Sequence, residues 1–118
     1  MAKDPTVAIR DCLAEIAILH ELAARMTLDQ FKADPIARRA AAYAIQTISE
    51  AVRHIPDDWL ADFAAEPWSQ IKSIGNRIRH EYFRLDDAIL WGIITTETHG
   101  LKAALDAMLA RRPVGKGA

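Results

Sequence analysis

A chain of 118 residues fits one domain and leaves no room for a second. Its formal net charge of −1 provides no overall attraction to nucleic acid or membrane, so an anionic partner needs a local basic patch. The single cysteine excludes an intrachain disulfide. No apolar run reaches the roughly 18 residues of a membrane span, and the first residues do not resemble a secretory signal. We therefore expect a cytoplasmic protein.

The first two predicted long helices begin with the same signature. Asp4-Pro5 and Asp34-Pro35 each place a capping aspartate before a proline at the first helical position. The first helix should end near Met26, and residues 27–31 should form a short capped turn. The second should end before Pro56, with an apolar face that includes Ile36, Tyr43, Ile45, Ile48 and Val52.

The second half of the chain predicts a short helical segment and two further long helices. Pro56 starts the short segment, and Glu66-Pro67 opens the third long helix, which should end near Leu85. Asp86-Asp87 begins the fourth. Residues 95–100 interrupt its apolar stripe, and this predicts a kink with Gly100 as the weak point.

Four long helices with short connections predict an all-α fold, an antiparallel four-helix bundle with two short extra helices. We expect the domain to span residues 1–112 and residues 113–118 to form a flexible tail. Because 51% of the residues are hydrophobic, a bundle of this size has apolar surface to bury against a second copy.

One segment of the third helix is unusually polar. Residues three or four apart share a helix face, so Asn76 and His80 should lie together, flanked by Arg77 and Phe83. Gly75, Arg79 and Tyr82 should form the neighbouring stripe. Glycine inside a helix costs about 1 kcal/mol relative to alanine and often marks close approach by a backbone or a ligand.

These residue types allow metal-free cleavage of RNA, with the ribose 2′-hydroxyl as the internal nucleophile. Histidine moves protons at neutral pH, and arginine holds phosphate or the charge that builds on it. The same residues also fit a plain solvated helix face. No cofactor is indicated, and no metal site is expected, because His20 and His54 have no partner at ligand spacing. Cys12 falls on the apolar stripe and should be a core residue.

The chain resembles the HepT-like branch of the HEPN family in three stretches. They are the segment from Trp68 to Asp86, the segment 44–51 and the segment 89–91. The resemblance implies a HEPN-like helical bundle that dimerises, so that two motifs form one RNA-cutting cleft. It also implies a type VII-like toxin–antitoxin pair, in which a minimal nucleotidyltransferase antitoxin transfers AMP to the motif tyrosine of the toxin.

The family motif is an arginine, four to six residues, a histidine, and often a tyrosine two residues later. By resemblance His80 is the catalytic histidine, Tyr82 the AMP acceptor, and Asn76 the asparagine after the arginine. Gly75 occupies the place of the arginine. Two arginines are available as substitutes for the motif arginine. One is Arg77, and the other is Arg79, which would reach the site from the other protomer.

Two functions follow from this pattern. The first is a toxin that acts as a metal-independent endoribonuclease, which the retained histidine and tyrosine favour. The second is a dimeric HEPN protein with impaired catalysis that binds RNA, nucleotide or a nucleotidyltransferase partner, which Gly75 favours.

Overall fold

A computed structural model of the protein describes residues 4–112, and the expected tail 113–118 lies outside this range. The described residues are almost entirely helical and contain no strand, which confirms the predicted all-α fold. The α-helices are α1 (Pro5–Arg25), α2 (Leu28–Ala33), α3 (Pro35–Val52), α4 (Asp57–Ala61), α5 (Trp68–Glu81), α6 (Asp87–Gly92) and α7 (Thr98–Arg111). A 3₁₀ turn, Tyr82–Arg84, follows α5, and a π-helical segment, Ile93–Glu97, joins α6 to α7.

Side-chain caps fix where the helices of the first half begin. The Asp4 carboxylate accepts a hydrogen bond from the backbone N–H of Thr6 at 2.9 Å. Asp34 accepts two such bonds, from the backbone N–H groups of Ile36 and Ala37. Each cap satisfies donors that the first helical turn leaves unpaired, and this typically stabilises a helix by about 1 kcal/mol.

The core lies between α1, α3 and α7. Helix α1 packs against both of the others, and α3 carries α5 on its second flank. Cys12 is fully buried in this core, as the sequence predicts. The largest fully buried side chains are Phe31, Ile9, Ile16, Leu19, Leu90, Ile94, Leu105 and Met108.

One long edge of the bundle is open. Helix α5 packs along its length against α3, but it makes little contact with α6, α7 or the π-helical segment. A cavity of about 610 Å³ lies along this edge, between α5 on one side and α6, the π-helical segment and α7 on the other. Its apolar wall is formed by Ile45, Ile48, Ile71, Ile74, Ile89, Ile93 and Leu101. We refer to this region as the open edge.

The structure corrects several details of the sequence prediction. Helix α5 ends at Glu81 rather than near Leu85, because the backbone leaves helical geometry there and continues as a 3₁₀ turn. The predicted kink is a π-helical segment that begins at Ile93, whereas Gly100 lies within regular α7. Ile36 and Tyr43, predicted on the apolar face, are 81% and 71% exposed.

None of the helices in residues 4–112 combines the length and the apolar character that a membrane crossing requires.

Candidate ribonuclease site

The outer face of α5 carries the polar residues that the sequence singled out. Asn76, Arg77 and His80 are all exposed, whereas Ile78 on the opposite side of the helix is buried. Spacings of three and four residues bring these three side chains onto one surface. We call this surface the His80 face. It presents an imidazole, an amide and a guanidinium from one regular helix, which holds their Cα atoms in a fixed arrangement.

Gly75 faces inward, against α3. Its backbone N–H donates a hydrogen bond to the Ser49 hydroxyl at 3.1 Å, and that hydroxyl donates to the Lys72 carbonyl at 2.9 Å. A Cβ atom on residue 75 would lie 2.6 Å from Ser49 Oγ and 2.8 Å from Ser49 Cβ. Gly75 therefore lies at the point where α3 and α5 of the same chain approach each other closely.

Arg79 is held on the α3 side of the helix. Its Nη2 atom lies 2.7 Å from Glu50 Oε1, and its Nη1 atom donates to Asn76 Oδ1 at 3.4 Å. The guanidinium thus already has a carboxylate partner within its own chain. An anionic substrate would have to compete with Glu50 for it.

Arg77 is placed differently. It lines the open edge, on a different side of α5 from Gly75 and Arg79, and residues 4–112 provide it with no ion-pair partner. It also lies one turn before His80 on the same helix face. Of the two substitutes that the sequence proposed, Arg77 is the one whose charge is available beside the imidazole.

Tyr82 is partly enclosed by the fold, unlike the exposed Asn76, Arg77 and His80. The side chain is half-buried and packs against the core, and its hydroxyl oxygen is buried with no hydrogen-bond partner in the described part of the chain. Its ring meets the Phe83 ring edge to face, with 5.2 Å between centroids. The hydroxyl can reach a large reagent only if the 3₁₀ turn opens.

Residues 12–108 match the family described as "Ribonuclease HepT-like". The chain belongs to this family. It is 27% identical to a protein named "Putative RNase" from Caldanaerobacter subterraneus subsp. tengcongensis, over 92% of this chain and 97% of the relative. It is 23% identical to "Probable ribonuclease HepT" of Thermococcus cleftensis, over 85% of this chain and 91% of the relative. No solved structure matches the chain.

Family membership confirms the resemblance to HepT-like proteins. It also makes the glycine at position 75 a departure that the structure can explain. In this HepT-like chain, the position that the motif assigns to arginine points at Ser49 of α3. A longer side chain would begin with a Cβ atom too close to Ser49, so α3 and α5 would have to separate to accept it. The cations near the His80 face therefore stand at other positions, which are Arg77 and Arg79.

A histidine pair that the sequence interpretation missed lies between α1 and α7. The rings of His20 and His99 stack with centroids 4.5 Å apart, and His20 Nε2 lies 2.8 Å from the Thr98 hydroxyl. Burial lowers the pKa of His20, and the nearby charges of His99 and Lys102 lower it further. No short-range sequence pattern predicts a contact between two histidines that are 79 positions apart. Within residues 4–112, no three His, Cys, Asp or Glu side chains are grouped as a metal site requires.

Proposed function

We propose that this HepT-like protein is a metal-independent endoribonuclease that acts as a dimer. The observation that carries the proposal is the His80 face, where an exposed imidazole lies on a regular helix beside an amide and a guanidinium with no ion-pair partner in residues 4–112. Family membership adds support, because relatives of similar length are named as ribonucleases.

The proposed reaction is an internal transfer at phosphorus. His80 accepts the proton of the ribose 2′-hydroxyl, and the 2′-oxygen attacks the adjacent phosphorus. The bond from phosphorus to the 5′-oxygen breaks, and the leaving oxygen takes up a proton, so that a 2′,3′-cyclic phosphate and a 5′-hydroxyl are formed. Arg77 stabilises the charge on the phosphoryl oxygens in the transition state, and the Asn76 side-chain amide donates a hydrogen bond to the RNA backbone.

The dimer in this proposal is formed through the open edge. The α5 side of the cavity wall, at Ile71 and Ile74, is only partly buried within the described chain, and Ile89 at its rim is 48% exposed. In the proposed dimer the second copy contributes a second His80, and this imidazole supplies the proton for the leaving oxygen. Light scattering at micromolar concentration should give twice the mass of one chain. Ile89→Glu should shift the protein to monomer, whereas Ile18→Glu on α1, which is also half exposed, should not.

Neutralisation belongs to the same proposal. We propose that the protein is the toxin of a toxin–antitoxin pair and that a nucleotidyltransferase antitoxin adds AMP to Tyr82. Because the Tyr82 hydroxyl is buried, the transfer requires the turn at residues 82–84 to open first. Mass spectrometry after incubation with the partner enzyme and ATP tests the assignment. Modification that persists in Tyr82→Phe would place the acceptor elsewhere.

The decisive experiment on catalysis compares His80→Ala with His54→Ala. Both histidines are exposed, but His54 follows α3 and lies outside the His80 face. His80→Ala should abolish cleavage, whereas His54→Ala and added EDTA should leave it unchanged. Cleavage that EDTA stops and that His80→Ala retains would refute the mechanism.

One observation favours the second candidate, a dimer that binds RNA, nucleotide or a nucleotidyltransferase without cutting. The contact between Gly75 and Ser49 leaves no room for a cation at the motif position. If the wild-type protein binds RNA but leaves it intact even when enzyme exceeds substrate, this candidate replaces the ribonuclease.

A further inference from the structure

Phe83 is the most exposed large hydrophobic residue among those described. It lies on the 3₁₀ turn, three residues after His80, and 89% of its surface is accessible. Three residues span at most about 11 Å even when fully extended, so the aromatic ring is anchored close to the His80 face. An aromatic side chain usually contributes a large buried area to a fold, and here that contribution is absent.

The turn holds the ring in a defined place. The Tyr82 side chain packs against the core, and its ring supports the Phe83 ring edge to face at 5.2 Å. The Leu85 N–H closes the turn by donating to the Tyr82 carbonyl at 3.2 Å. The Phe83 ring therefore contacts a neighbour that is packed against the core, while most of its surface meets solvent.

The charges around Phe83 indicate the kind of partner. Within residues 79–84 the exposed charged groups are Arg79, Glu81 and Arg84, together with the His80 imidazole. The core of a protein–protein interface is depleted of charge, whereas surfaces that bind single-stranded nucleic acid combine aromatic rings with cations. Arg79 is paired with Glu50, so Arg84 and the His80 imidazole are the groups that accompany the exposed ring, and this combination fits the second description.

We propose that Phe83 stacks on a base of unpaired RNA and so positions the neighbouring phosphate at His80. This inference rests on the proposed ribonuclease function and adds the substrate class, because a base within a duplex is already stacked and cannot present its face to the ring. The step involves only binding, and Phe83 is a positioning residue for the chemistry at His80.

The test measures binding separately from cleavage. The probe is a single-stranded oligoribonucleotide with 2′-O-methyl groups, which lacks the 2′-hydroxyl nucleophile. Phe83→Ala should weaken binding by about tenfold or more, which is the usual effect of removing one base–aromatic stack. Phe83→Trp should restore binding. Ile36→Ala removes another highly exposed apolar side chain, on α3, and should leave affinity unchanged.

A second probe isolates the stack itself. Abasic sites are placed one at a time along the oligonucleotide, and one position should cost wild type about tenfold in affinity. An abasic site at that same position should lower the affinity of Phe83→Ala only slightly, because the ring that would stack on the base is already absent. The two losses should therefore not add.

The outcomes separate the two proposals. Tight binding that Phe83→Ala leaves unchanged refutes the stacking role and leaves the ribonuclease function intact. Equal affinity for a duplex of the same sequence also refutes the assignment of unpaired RNA. Absence of binding by wild type refutes the stacking role, whereas the ribonuclease function is refuted only if the unmodified oligoribonucleotide also remains uncut. If Phe83→Ala turns a dimer into a monomer in light scattering, the ring is a contact between copies, and the stacking role is wrong.

Discussion

The hydroxyl of Tyr82 has an energetic cost that a single substitution can measure. A buried hydroxyl without a hydrogen-bond partner costs about 1–3 kcal/mol, because it gives up its bonds to water. We expect Tyr82→Phe to be as stable as wild type or about 1 kcal/mol more stable in denaturant unfolding. Tyr43→Phe alters a tyrosine that is 71% exposed and should leave the free energy of unfolding unchanged. A clear loss of stability in Tyr82→Phe would mean that the hydroxyl is bonded.

The two arginines near His80 should differ in their effect on cleavage. Arg79 already pairs with Glu50, whereas Arg77 has no ion-pair partner in residues 4–112. We expect Arg77→Ala to lower single-turnover cleavage about 100-fold, which is typical for loss of one group that stabilises transition-state charge. Arg79→Ala should cost less than about tenfold, because its charge is already compensated. The reverse ranking would show that Arg79 exchanges Glu50 for the substrate.

The contact between α3 and α5 depends on the missing side chain at position 75. Gly75→Ala places a Cβ atom 2.6 Å from Ser49 Oγ, so the helices must shift. Overpacking of this kind costs about 1–3 kcal/mol, which exceeds the gain of about 1 kcal/mol in helix propensity. Gly92→Ala is the matched control, because nothing lies within 4 Å of its added Cβ. Chemical denaturation should show a loss for Gly75→Ala and a small gain for Gly92→Ala. Two equal gains would contradict the contact.

The sequence predicted well those helices whose starts depend on local signals. Asp4 and Asp34 cap α1 and α3 as predicted, since a cap involves only residues within one turn. The inward direction of Gly75 and the pairing of Arg79 with Glu50 were not predicted, because both depend on the packing of α3 against α5. Contacts between residues 26 or more positions apart leave no periodic trace in a single sequence.

The same limit applies to exposure. Ile36 and Tyr43 fit the period of the α3 apolar face, yet the structure leaves both in solvent because the described chain packs no helix over that side. The turn that buries the Tyr82 hydroxyl was likewise read as a continuation of α5, since residues 82–84 contain no proline or glycine to mark the helix end.

For the molecule as a whole, the His20–His99 pair should make stability depend on pH. Burial lowers the pKa of His20 in the folded state below its unfolded value of about 6.5. The unfolded chain therefore takes up this proton at a higher pH than the folded chain. The stabilisation of the folded state that comes from keeping His20 neutral is complete above about pH 6.5. It is lost as the pH falls through the lowered folded-state pKa of His20.

Denaturant unfolding between pH 7.5 and about 5 measures this dependence. The wild-type free energy of unfolding should fall with pH across the acid side of the range. His20→Gln should flatten the curve, whereas His54→Gln, which changes an exposed histidine, should retain it. Parallel curves for wild type and His20→Gln would contradict the assignment to His20.

The open edge leaves α5 attached to the bundle mainly through α3, whereas α1 packs against α3, α7 and the π-helical segment. Helices with fewer packed sides open at lower free energy, and their amide hydrogens exchange sooner with solvent. The residues of the His80 face therefore lie on a helix that we expect to open locally at lower free energy than α1. Deuterium uptake in the monomer should be faster in α5 than in α1, and association of two copies should slow it. Assembly would then order the helix that carries the proposed chemistry, so that the site becomes rigid only when it is complete.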